Sequence, residues 1–148
     1  MKAIMCACSE LAILDSRTNN YSLINVVSSL VVAYFPIALE KFSLTCIFER
    51  DLSEPEQRRL DLSVDLNKQV IFSQSGNLRF ASNQRTYFIL ALRGLVLHEA
   101  GTLTIRILEN GAEVCSYPIP VVPVPDPLSA NKTVMPEAPA VSAPAVSA

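Results

Sequence analysis

Four cysteines and a single histidine carry most of the reactive chemistry available to this 148-residue chain. Cys6 and Cys8 stand two apart in a segment that reads as a strand, so both sulfurs project to one side of it. With Cys46 and Cys115 they could in principle complete a tetrahedral zinc site. The spacing argues against that, because structural zinc sites favour short Cys-x₂₋₄-Cys knuckle loops rather than Cys-x-Cys within a strand. A catalytic thiolate would need a neighbouring cation or a helix N-terminus, and the flanking residues supply neither. All four cysteines fall inside expected strands at positions that suit small apolar residues. The expectation is therefore buried, reduced thiols packed as small hydrophobes, with no metal ligand among them.

His98 is followed by Glu99, and a general base oriented by a carboxylate is conceivable there. No Ser or Cys is placed beside it by the local sequence, and the expected setting is a solvated turn. Asp61 and Asp65 share one face of a strand, and Glu49 could lie on a neighbouring one. Paired carboxylates can do acid–base work or help hold calcium. Here their spacing is simply that of the wet side of a sheet, and no Asp-x-Asp-x-Asp loop accompanies them. Gly76, Gly94, Gly101 and Gly111 are too dispersed to cradle a phosphate, and no nucleophile-elbow, zincin, Walker or dinucleotide pattern occurs. Asn20-Tyr21-Ser22 and Asn131-Lys132-Thr133 match the glycosylation acceptor, which matters only to an exported chain. No catalytic, cofactor-binding or metal-binding residue is expected, and neither is an enzyme.

The elements that would hold these side chains read as β-structure throughout. The clearest stretch runs from Thr86 to Pro120. Thr86–Arg93 is β-branched and aromatic, Thr102–Leu108 alternates apolar with polar, and Glu113–Ile119 returns after Asn110-Gly111. Asn-Gly tolerates the positive φ that tight hairpins demand. Upstream, residues 2–8 make a first strand, 15–20 a turn and Tyr21–Ser28 a second strand. Leu30–Glu40 is an apolar crossover or edge interrupted by Pro36.

In Lys41–Arg50, Phe42, Leu44, Cys46 and Phe48 fall on one face and Ser43, Thr45 and Glu49 on the other, polar one, with Ile47 the exception; in Leu60–Leu66, Leu60, Leu62, Val64 and Leu66 point inward, with Asp61, Ser63 and Asp65 outward. Residues 51–59 read as a charged connection with room for a helical turn or two, 70–73 as a short strand and 74–85 as a loop with one brief extended piece. Seven or eight short strands with regular turn signals indicate an antiparallel two-sheet β-sandwich, immunoglobulin-like or C2-like, with a closed barrel as the alternative.

A net charge of −2 offers no general attraction for nucleic acid or anionic lipid. The apolar stretch after Lys2 ends near Ser9-Glu10, too short for a signal core, and no run approaches the roughly twenty residues of a bilayer crossing. A cytoplasmic protein is expected. The domain should span residues 1–122. Residues 123–148 carry six prolines, three charges and a doubled PAVSA ending, which predicts a disordered or polyproline-like tail.

Met1-Lys2-Ala3 leading straight into a strand, Asn20–Val26, Gly94-Leu95-Val96-Leu97 with Gly101, and Leu108-x-x-Gly111-x-x-Val114 together resemble an uncharacterised family of small bacterial β-sandwich proteins. The resemblance covers roughly residues 1–121 and carries over no functional residue. It implies a sandwich of immunoglobulin or C2 type, and fold alone does not imply function. The expected role is a non-enzymatic module that works by contact with a protein partner or with a second copy of itself. The alternatives are a metal-binding or thiol-dependent protein using the cysteines with His98, and a small-ligand or glycan-binding module. The lack of tryptophan weakens the glycan option.

Overall fold

A computed structural model describes residues 1–18 and 20–125. Eleven strands follow in order: β1 (Lys2–Asp15), β2 (Asn20–Val26), β3 (Leu30–Val32), β4 (Ile37–Leu39), β5 (Phe42–Glu49), β6 (Gln57–Leu66), β7 (Gln69–Arg79), β8 (Arg85–Leu92), β9 (Leu95–Leu97), β10 (Gly101–Glu109) and β11 (Ala112–Pro123). No helix occurs among the described residues, and none there is long and apolar enough to cross a membrane. The strands form a four-stranded sheet ordered β2-β1-β5-β8, a five-stranded sheet ordered β3-β11-β10-β6-β7, and a two-stranded sheet of β4 and β9. All pairings are antiparallel except β11 with β3. The tail expected beyond residue 122 lies mostly outside the described residues; β11 itself runs to Pro123.

The alternation read in the sequence decides the core. Phe42, Leu44, Cys46 and Phe48 of β5 meet Leu60, Leu62, Val64 and Leu66 of β6 and Leu103, Ile105 and Ile107 of β10 in one buried cluster. Asn110 and Gly111 take φ of 52° and 80°, the left-handed region their sequence suggests, and Asn67 and Lys68 form a second two-residue reversal there at 51° and 70°.

The strand count is eleven rather than seven or eight, for identifiable reasons. β3, β4 and β9 have three residues each, too few for a period to show. Residues 57–59 and 74–79, expected as connection and loop, are strands paired with each other, Arg59 opposite Asn77 and Leu60 opposite Gly76. Both are mostly polar because most of their side chains lie in water; backbone pairing holds them, and Leu78 enters the core. β1 does not stop at residue 8 but continues to Asp15, where only β2 accompanies it.

That continuation folds back on its own sheet. β1 pairs with β5 only through Ser9 and with β2 only from Ser9 onward. β2 would lie about 14 Å from β8 in a flat sheet, three strand spacings away. Yet the rings of Tyr21 and Tyr87 are 4.3 Å apart, and Tyr21 and Leu23 line one cavity with Thr45, Ile47 and Tyr87. The β1–β2 ribbon therefore lies across the outer face of the four-stranded sheet. β5 is consequently covered on both sides, and Ser43 and Thr45, expected to be wet, are buried.

Candidate functional site

On β1 and β5, Cys6 stands directly opposite Cys46, and both face the interior. β11, in the other large sheet, brings Cys115 across the gap between the layers. The three sulfurs lie within 4.8 Å of one another, and Cys46 Sγ donates to Cys6 Sγ at 3.0 Å. All are free thiols. Cys8, the next inward position on β1, is fully buried opposite Leu44 and stands outside the trio.

The site has an open flank. Among the described residues, 2–7 of β1 pair only with β5, and 112–120 of β11 pair only with β10. The two unpaired edges face each other across a seam, with Cys6 and Cys115 half-buried at its mouth and Cys46 fully buried as its floor. Tyr117, two residues beyond Cys115, closes one end by donating its hydroxyl to the Val27 carbonyl at 3.0 Å.

The thiols influence one another strongly. Cys115 is held below the ordinary thiol range by hydrogen bonds from Cys46 and then Cys6. Cys46 is pushed up by its hydrogen bonds to Cys115 and Cys6 and then by burial. Cys6 is likewise pushed up, chiefly by its contact with Cys115. The three thiols therefore titrate as one coupled set, in which hydrogen bonds from two of them favour a thiolate on the third. Burial, and to a smaller extent the charge at Cys115, pushes Cys8 up to about 12.

The other sequence candidates do not converge. His98 is exposed, and the Glu99 carboxylate accepts a hydrogen bond from Asn67 Nδ2 at 2.7 Å. The same Asn67 amide donates to the Ala100 carbonyl, and its oxygen accepts from the Thr102 backbone, both at 3.0 Å. This corner is a structural clamp. Glu49 lies on a different sheet from Asp61 and Asp65, so the three carboxylates never share a surface. Glu49 pairs with Lys2 at 2.9 Å and Arg85 at 2.8 Å, which hold its carboxyl below the usual range. Asp61 accepts from Ser75 Oγ at 2.6 Å. Asp65 faces outward as expected but is only 1% exposed, covered by Arg106 and accepting from Ser63 at 2.8 Å.

Two features escaped the sequence reading. Arg50 is buried, resting over the Phe80 ring at 5.4 Å and donating to the Asn83 carbonyl at 3.1 Å. Its parity was the available signal, since it continues the inward series from Phe42 to Phe48. The second is the outer face of the folded-back ribbon, where Leu11 lies opposite Ile24 and the exposed Ile13 and Val26 flank them.

A family model matches residues 4–122, which is most of the chain and reaches from within β1 to within β11. The chain belongs to DUF6941, a family of unknown function. No curated protein matches it. The part of this DUF6941 chain that matches holds all four cysteines, the whole ribbon and the Asn67 clamp, so each lies within the family's own domain.

Proposed function

We propose that this protein is a non-enzymatic β-sandwich of immunoglobulin or C2 type that works by contact, and that the contact is with a second copy of itself through the β1–β2 ribbon. One observation carries the reading: Leu11, Ile13, Ile24 and Val26 leave between 37% and 53% of their surface in water on one continuous ribbon face. Contiguous exposed aliphatic patches mark interaction surfaces. β2 is an edge strand whose sequence, Asn20–Val26, holds no charge and no proline, the usual devices that keep edges from pairing. A surface without charge of either sign is complementary to itself, which favours a like partner and an isologous interface. The free thiols support a reducing, cytoplasmic setting.

Light scattering across a concentration series tests this. The expected result is a mass rising from one chain to two, with Ile24→Lys remaining a single chain and keeping its β-type circular dichroism. A wild-type protein that stays monomeric at every concentration would remove self-association.

A further inference from the structure

We propose that Cys6, Cys46 and Cys115 form a three-thiolate site for a soft, monovalent d¹⁰ metal ion of the copper(I) type. The proposal is independent of the ribbon and concerns the opposite side of β5. Every donor is sulfur, and such donor sets select copper(I) and zinc over the harder divalent ions. With metal–sulfur distances of about 2.3 Å, three sulfurs in a plane around one ion stand about 4 Å apart. The present span of up to 4.8 Å brackets that value, and the 3.0 Å Cys6–Cys46 separation opens to it by side-chain rotation. The donors come from three strands of two packed sheets, so the backbone places them before the ion arrives. Cys6 and Cys115 are each partly exposed, which gives the ion a way in from solvent.

Three donors complete a trigonal shell for a monovalent ion, whereas a closed structural zinc site needs a fourth protein ligand. Cys8 is walled in beside Leu44, His98 is remote on the clamp corner, and no carboxylate or imidazole joins the group among the described residues. A monovalent ion therefore fits this constellation better than zinc. On ligation each thiol that binds as thiolate passes its proton to solvent, with no change of oxidation state.

The test uses the full chain, reduced and kept free of oxygen. Copper(I) is titrated in competition with a chromophoric copper(I) chelator, and zinc(II) is titrated in a parallel arm with a zinc dye. One equivalent of copper(I) should be withdrawn from the chelator. Cys6→Ser and Cys115→Ser should each weaken binding by at least about tenfold, while Cys8→Ser should change it by less than about twofold. Because Cys6 and Cys115 are only half-buried, one equivalent of copper should also shield both from alkylation in the wild-type protein. That readout stands even where a serine variant does not fold. Folded, reduced protein that withdraws no copper, or binding unchanged by Cys115→Ser, overturns the site. Stoichiometric zinc binding with no copper binding overturns the monovalent assignment.

Discussion

Cys6, Cys46 and Cys115 come from three strands far apart in the chain and meet within 4.8 Å, whereas His98 and Glu99 are adjacent in the chain and serve no common centre. The difference lies in what each region asks of its polar atoms. At the seam, inward-pointing side chains from two layers have nowhere to go but toward one another, and burial makes their mutual interactions strong. At the corner the chain must turn, and its polar groups are consumed in satisfying backbone: Asn67 serves the Ala100 carbonyl and the Thr102 amide, and Glu99 steadies Asn67. Neighbours in sequence make a turn, while strands packed across a core make a cluster.

Four experiments press on that contrast, in descending size. If the seam has a dry floor, Leu44→Ala, beside Cys46 and opposite Cys8, should cost about 2–5 kcal/mol in denaturant unfolding. A loss well under about 1 kcal/mol would mean that water already fills the seam.

Gly101 comes next. It sits at φ +147°, and a Cβ there would meet Asn67 Oδ1 at 1.8 Å. Asn67 cannot swing aside without giving up its three hydrogen bonds, so Gly101→Ala should cost about 1–3 kcal/mol. A neutral substitution would show that the clamp is dispensable.

The third is a pH effect. Cys8 is raised in the folded protein from the ordinary 9 to about 12. A group with a raised folded value gives stability that is complete below pH 9 and lost as pH climbs toward 12. Tyr117, raised by burial, and Cys6 and Cys46, raised chiefly by their contacts with Cys115, act with the same sign, while the gain from the lowered Cys115 is already complete by pH 9. Cys8→Ala should therefore flatten the alkaline fall in stability measured between pH 9 and 12. An unaltered slope would assign the effect elsewhere.

The smallest effect is expected of the residue that looked most chemical. His98→Ala should change stability by no more than about 0.5 kcal/mol, because an exposed turn residue outside the clamp has little to lose. A shift beyond about 1 kcal/mol would show that the imidazole supports the corner after all.

Much of this architecture could be read residue by residue. The inward series of β5, β6 and β10 was visible as alternation, and Asn110-Gly111 announced its reversal, because side-chain direction in a strand is a local property of period two. What escaped was whatever depends on a partner. Residues 74–79 look like a loop until β6 supplies their hydrogen bonds. Asp65 looks wet until Arg106 covers it. Residues 9–15 look like the end of a strand until the ribbon turns back over Thr45 and Ile47.

The candidate centre divides the same way. Local sequence placed Cys6, Cys8, Cys46 and Cys115 on strands, all four at positions that suit a small buried side chain. It also determined that no catalytic pattern accompanies them. Only the packing of one sheet on the other decided that three sulfurs converge while the fourth stands apart. Strand parity sets which way a side chain points, but the distance between two layers, and the register in which their edges meet, belong to the folded chain as a whole.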